Sequence, residues 1–204
     1  MEKDRLIAII EALIFASDRP LKAKYIEQVL SIVDLGDITI DGLIEALRTR
    51  YGTDSAGIEL VEVAEGWQFR TRPQLSDWVK RLNIVKPAKL SMPAVETLSI
   101  VAYRQPVTHA EIDYVRGVDS GGVIKTLLDR RLIKIVGKKE LPGRPLVYGT
   151  TQEFLEVFGL KDISALPSLQ DIKQIGSAEE ELERDQAELP LATNKPGEGP
   201  DDEE

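Results

Sequence analysis

The clearest hydrophobic pattern in the chain runs from Leu90 to Thr151. Val95, Leu98, Val101 and Ala102 recur at helical spacing and predict one buried face. Ser91 stands as the cap of that helix, and Pro93 lies in its first turn, where a missing N–H costs little. Thr108 and Glu111 form a T-x-x-E capping box for a second helix, Val107 and Ile112 are placed as its hydrophobic staple, and Gly117 is its stop. Asp119 or Ser120 caps a third helix that carries Val123, Ile124, Leu127 and Leu128 inward. Ile133, Ile135 and Val136 predict one strand and Leu146 to Tyr148 the next, joined by a loop containing Pro142, Gly143 and Pro145. Three helices and a hairpin are the outline of a winged helix.

The first half of the chain repeats this order. Helices are expected at Asp4 to Ala16, at Lys22 to Leu30 with Tyr25, Ile26, Val29 and Leu30 on one side, and at Asp41 to Tyr51 through Leu43, Ile44 and Leu47. Ile58 to Val63 alternates as a half-exposed strand, Gly66 marks the turn, and Trp67, Phe69 and Thr71 alternate back out. Pro73 opens a short helix to Leu82. An offset of 86 carries Pro20 onto Pro106, Leu21 onto Val107 and Ile26 onto Ile112. The same offset, extended upstream, carries Ile9, Ala12, Phe15 and Ala16 onto Val95, Leu98, Val101 and Ala102. For the third helix the offset falls to 80, with Leu43, Ile44 and Leu47 on Val123, Ile124 and Leu127. A repeat this long is domain duplication, not a solenoid. Thr150 and Glu153 suggest a further capped helix to Phe158, stopped by Gly159.

The expected fold is α+β, mainly α. Two tandem winged helices occupy 1–82 and 90–169, a linker 83–89, and a disordered acidic tail 170–204.

Charge sharpens this division. The net charge of −9 equals that of Ser177 to Glu204 alone, which hold 11 acidic and 2 basic residues, so the rest of the chain is neutral. Residues 1–82 are net −3 and residues 83–160 net +3. Neither is the basic excess that counterion-release binding to a duplex usually leaves. The absence of cysteine excludes a disulfide framework and thiol chemistry. The longest apolar run, Leu6 to Ala16, is too short to span a bilayer, and MEKDRL lacks a signal-peptide pattern, so cytoplasmic residence is expected.

Candidate chemistry is sparse. His109 is the single histidine and stands at the start of a capped helix, whereas a metal site needs several ligands converging; no metal, cofactor or catalytic group is expected. Gly121 and Gly122 open a helix and do not form a phosphate cradle. Nucleic acid is the serious rival partner. Lys125, Arg130, Arg131, Lys138, Lys139 and Arg144 are candidate phosphate contacts on the third helix and wing of the second domain. That helix begins Ser-Gly-Gly-Val, with nothing to read a base edge, so DNA binding is expected to be weak and non-specific at most.

The strings ETLSIVAYRQPVT, AEIDYVRGV and GRPLVYGTT resemble the bacterial segregation and condensation protein B family. The likeness extends upstream through EALIFASDRPL and GIELVEVAEGWQFRTRP and covers about Leu6 to Leu169. Glu65 and Trp67 depart from the glycine and tyrosine expected there. The resemblance implies a non-catalytic accessory subunit of the SMC–kleisin complex. Such a subunit is a homodimer that grips the kleisin (segregation and condensation protein A), reaches SMC through it, and supports chromosome condensation and segregation in cell division at the nucleoid. A winged-helix transcription regulator is the alternative. Under the first reading, Tyr103, Arg104 and Gln105 at the end of a helix are kleisin-binding candidates; Tyr103 as a core residue is the competing possibility.

The repeat also suggests a dimer interface. With the offset of 86, Glu96 and Ser99 stand opposite Ile10 and Leu13, so one domain core tolerates polar groups there. Leu6, Ile7, Ile10, Leu13 and Ile14 are then surplus to the core and form an apolar stripe for a second copy. A thicker core, covered by Asp34 to Thr39, is the other reading. The tail cannot bury enough apolar area to offset its chain entropy. Truncation after Ser177 should therefore leave the melting temperature within about 1–2 °C; a larger loss in a thermal scan would show that the tail packs.

Overall fold

The computed structural model describes residues 2–53, 55–82, 89–168 and 171. The expected linker lies almost wholly outside these residues, as does the acidic tail. Met1–Ala165 is one compact unit and Leu166–Glu204 a second. Within the second, the backbone N–H of Ser168 donates to Asp171 Oδ2 at 2.8 Å, and that of Asp171 to Ser168 Oγ at 3.2 Å.

The first unit contains two modules of one design. In the first, α1 (Lys3–Ala16), α2 (Ala23–Leu30) and α3 (Ile40–Tyr51) precede the hairpin of β1 (Ile58–Val63) and β2 (Gly66–Thr71). A 3-10 turn at Pro73–Leu75 then leads into α4 (Ser76–Lys80). In the second, α5 (Met92–Arg104), α6 (His109–Arg116) and α7 (Gly121–Asp129) precede the hairpin of β4 (Ile133–Lys138) and β5 (Leu146–Thr150). The short strand β3 (Val107–Thr108) joins β5, giving the order β3-β5-β4. The first module has the same third strand in reduced form: the N–H groups of Leu21 and Trp67 each donate to the other's carbonyl at 2.9 Å. Both are winged helices. A final helix, α8 (Gln152–Phe158), follows the second wing.

The local signals explain most boundaries. Thr108 and Glu111 make the expected capping box on α6, and Gly117 ends it at φ 72°. Thr39 caps α3 by accepting from Gly42 N. The cap of α8 is Thr151, one residue beyond the expected Thr150, and its hydroxyl also donates to Arg131 O at 2.5 Å. Ser91 and Ser120 occupy N-cap positions without side-chain caps. Ser120 Oγ instead accepts from Arg116 Nη1.

Helix α1 presents the face opposite to the expected one. Leu6, Ile7, Ile10 and Ile14 are buried against Ile26, Leu43, Ile44 and Leu47. Ile10 is 0% exposed, whereas Phe15, expected inside, is 78% exposed, and Ala12 and Ala16 are exposed. The error lies in the offset. α1 ends at Ala16, four residues before Pro20, and α5 at Arg104, two before Pro106. Aligned on their ends, the helices correspond at an offset of 88. Leu6, Ile10 and Ile14 then match Ala94, Leu98 and Ala102, all buried, and Phe15 matches exposed Tyr103. The polar residues set against Ile10 and Leu13 were out of register. The offset of 86 does hold for α2 and α6, where Ile26 and Ile112 are both fully buried. Val29 and Val115 on those helices are exposed, as are Ile32 and Val118 just beyond their ends and Val95 on α5.

The first hairpin turns at Ala64 and Glu65, with φ 52° and 59°, and not at Gly66. Two successive positive φ angles are the geometry that matches strand twist, although glycine or asparagine usually supplies them. Here the turn is held from outside. Ala64 N donates to Leu160 O at 2.9 Å, Glu65 N to Lys161 O at 2.8 Å, and Lys22 Nζ pairs with Glu65 at 2.6 Å. Arg70 Nη2 donates to Glu156 O at 2.8 Å, and Lys161 pairs with Glu62 at 3.1 Å. The first wing is thus hydrogen-bonded to the end of α8.

Two stability predictions follow from these contacts. Gly66 has no room for a side chain, because a Cβ there would lie 2.8 Å from both the carbonyl carbon and oxygen of Pro20. Gly66→Ala should cost about 1–3 kcal/mol by overpacking, a loss of several degrees in melting temperature; an unchanged value would deny the contact. Glu111 accepts from Lys139 Nζ at 2.5 Å and from Thr108 N and Oγ1. The Lys139 hydrogen bond, then those from Thr108, hold its carboxyl at about 2, below the ordinary 4.5. A depressed folded value means that the stabilisation is complete above about pH 4.5 and is lost as pH falls towards 2. Glu111→Gln should melt lower than the parent by ~2–4 °C at pH 7, in line with about 1 kcal/mol for a cap. That gap should close between about pH 4.5 and 2, and a gap independent of pH would contradict the assignment.

Candidate partner-binding surfaces

The exposed side of α1 forms one wall of an apolar groove. Ala8, Ala12 and Phe15 line it with Tyr51, Ile58 and Phe69, around a volume of about 330 Å³. Glu11 stands at its edge, where it accepts from the Tyr51 hydroxyl and from Arg50 at 2.7 Å. Tyr51 and Phe69 meet edge to face at 4.9 Å. The groove therefore has two aromatic walls in edge-to-face contact and a largely exposed third aromatic, Phe15. Leu6, Ile7, Ile10 and Ile14, the residues expected to meet a second copy, lie in the chain's own core, and Leu13 is half-buried. They cannot face a partner without opening that core. The signal that would have found Phe15 was the alignment of helix ends.

At the end of α5 the three kleisin candidates separate. Tyr103 and Arg104 are exposed. Gln105 is occupied within the chain: its Oε1 accepts from Thr150 N at 2.7 Å and Thr150 Oγ1 at 3.1 Å, and its Nε2 donates to Ala102 O. It ties the end of α5 to β5, immediately before a cis Gln105–Pro106 peptide. Its side-chain oxygen and nitrogen are thus both engaged within the chain. On α6, Tyr114 is 89% exposed; Val115, and Val118 past the end of the helix, are exposed as well.

The basic set divides as well. Lys125, Arg130, Arg131, Lys138 and Arg144 are exposed. Lys139 is not available to a phosphate without breaking its pair with Glu111. Arg130 and Arg131 lie at the base of the second hairpin, before Ile133, and Lys138 and Arg144 at its tip. Five strand steps of ~3.3 Å put about 16 Å between the two groups along β4, so they do not form a single cluster.

His109 has company that its isolation in the sequence does not suggest. Its Nε2 lies 3.2 Å from Asp113 Oδ2 and 3.6 Å from Asp119 Oδ1. Asp113 is one helical turn away, and Asp119 comes from the α6–α7 loop. The loop is shaped by Asp113 Oδ1, which accepts from Ser120 N at 2.8 Å, and by Arg116, which reaches Ser120 and Glu96.

Comparison with known proteins places the chain. The family described as "Segregation and condensation complex subunit ScpB" matches residues 8–169. Segregation and condensation protein B of Syntrophotalea carbinolica is 50% identical over 182 residues, covering 89% of this chain and 91% of that protein. That of Moorella thermoacetica is 43% identical over 169 residues, covering 83% and 85%. Among solved structures, ScpB from Mycobacterium tuberculosis is 33% identical over 78% of this chain and 98% of its own, with a TM-score of 0.37. A dimer of an ScpB N-terminal domain complexed with ScpA peptide is 29% identical over 39% of this chain and 95% of its own, with a TM-score of 0.35. These superpositions are loose, and it is the sequence likeness across both winged helices that decides membership. The chain belongs to the segregation and condensation complex subunit ScpB family.

Proposed function

We propose that this chain is a non-catalytic scaffold subunit of an SMC–kleisin complex, a homodimer that holds the kleisin and so supports chromosome condensation and segregation. Family membership supports the assignment to that complex. The observation in the molecule that carries the scaffold reading is the apolar groove outside α1. A half-exposed aromatic wall fronted by Phe15 is a surface a second copy can cover, and a two-fold axis would set two identical grooves face to face. Tyr103 and Arg104, on the other module, leave the kleisin a separate surface of the aromatic-and-arginine kind that interfaces favour. A DNA-binding regulator is the weaker reading: the basic side chains of the hairpin fall into two groups, one of them partly neutralised by Glu111, and α7 presents Ser-Gly-Gly at its start.

Phe15→Glu should give a folded monomer by light scattering with an unchanged circular dichroism spectrum, since the side chain is largely in solvent already. A persistent dimer would place the interface elsewhere. Arg104→Glu should weaken capture of the co-expressed kleisin by roughly tenfold or more while leaving the dimer intact; undiminished capture would remove this surface from consideration.

A further inference from the structure

The three side chains His109, Asp113 and Asp119 offer one ligand atom each, all within 4.8 Å of one another. Their spacing has a chemical meaning. A tetrahedral site with ligand bonds of about 2.0–2.1 Å has donor–donor edges of roughly 3.3 Å. The two edges from His109 Nε2, at 3.2 and 3.6 Å, bracket that value. An ordinary histidine–carboxylate hydrogen bond would place the acceptor in line with the ring N–H. Neither aspartate does so: Nε2 is shielded from solvent and has no hydrogen-bond partner among the described residues. Two carboxylate oxygens thus stand close to a ring nitrogen that hydrogen-bonds to neither, a disposition open to ligands of one ion.

Surrounding contacts support the same arrangement. Asp113 uses Oδ1 to accept from Ser120 N, which leaves Oδ2 turned to the imidazole and fixes the carboxylate's orientation. Such an outer hydrogen bond is what steadies a metal-ligating carboxylate. Gly121, the first residue of α7, keeps the side of the cluster open. A Cβ there would rest 3.4 Å from His109 Cε1 and 3.7 Å from both carboxylate oxygens of Asp119. Two carboxylates against one imidazole also leave negative charge that a divalent cation would neutralise.

We infer that His109, Asp113 and Asp119 form a binding site for a single first-row divalent transition-metal ion of the zinc class. One imidazole nitrogen with two carboxylate oxygens suits zinc, cobalt or nickel better than magnesium, which prefers an all-oxygen octahedral shell. The ion would be bound by the first two turns of α6 and the loop entering α7, and would clamp the helix–turn–helix of the second module. Solvent would complete its coordination. The site is separate from the groove on α1 and from Tyr103 and Arg104.

Because the chain has a single histidine, its imidazole resonances report the site without ambiguity. Zinc chloride is titrated into the tag-free full-length chain, and the His109 ring is followed by long-range proton–nitrogen correlation, with magnesium chloride as control. The His109 Nε2 signal should shift and saturate at one zinc per chain, and magnesium should leave it in place. Asp119→Asn and Asp113→Asn, which keep side-chain shape and an acceptor for Ser120, should each weaken zinc binding by at least the roughly 10–100-fold expected when even an outer partner of a metal site is lost. Their folding is checked by circular dichroism. A His109 signal unmoved by zinc overturns the site, and so does an Asp113→Asn/Asp119→Asn double variant that binds zinc as tightly as the parent.

Discussion

One helix can bury only one face, and in the first winged helix everything else depends on which face α1 gives to the core. Leu6, Ile7, Ile10 and Ile14 stand over Leu43, Ile44 and Leu47 of α3 and Ile26 of α2. Burying each such aliphatic contributes about 1.5–3 kcal/mol, so the four together fix the helix against rotation. The consequence appears on the outer side. Phe15, one position beyond Ile14, is turned into solvent, and the small residues Ala8 and Ala12 let it lie along a shallow groove walled by the hairpin aromatic Phe69. The exposed apolar groove is thus a by-product of core registration: moving the core face by one position would bury Phe15 and expose Ile10.

The second constraint joins the modules. A hairpin turn with two non-glycine residues at positive φ carries backbone strain, and here Leu160 and Lys161 accept the N–H groups of both. Arg70 closes the same seam by donating to the C-terminal carbonyl of Glu156 in α8, where a cation also meets the negative end of the helix dipole. A scaffold has to present its surfaces in a set relation, and these bonds, spanning the first wing and the end of the second module, are suited to that. They also account for Glu65 in this chain, where the family resemblance leads one to expect glycine: the carboxylate is held by Lys22, whose hydrogen bond lowers its pKa from the ordinary value.

Much of this was legible in the sequence because it is encoded locally. The capping box of Thr108 and Glu111, the stop at Gly117, the alternation of β1 and the long family motifs each depend on residues close together in the chain. What was not legible depends on residues far apart. The face of α1 was misread because two extra residues before Pro20 break the correspondence between the helices, and apolar periodicity on α1 is too broad to choose a face alone. Gln105 read as a surface residue, since its bond to Thr150 spans the whole module. Lys139 read as a phosphate contact for the same reason, its partner Glu111 being 28 positions away. His109 read as isolated because Asp119 reaches it only through the fold of the α6–α7 loop.

The central claim, that α1 buries Ile10 and offers Phe15 to a second copy, is open to a direct test because the chain contains no cysteine. Single cysteines at positions 10 and 15 would each be the sole target for a soluble thiol reagent, whose rate of reaction is measured across a range of protein concentration. The account predicts that the cysteine at position 10 stays protected at every concentration. The one at position 15 should react freely at high dilution and become protected as the dimer forms. Rapid labelling at position 10, or a rate at position 15 that does not change with concentration, would contradict it.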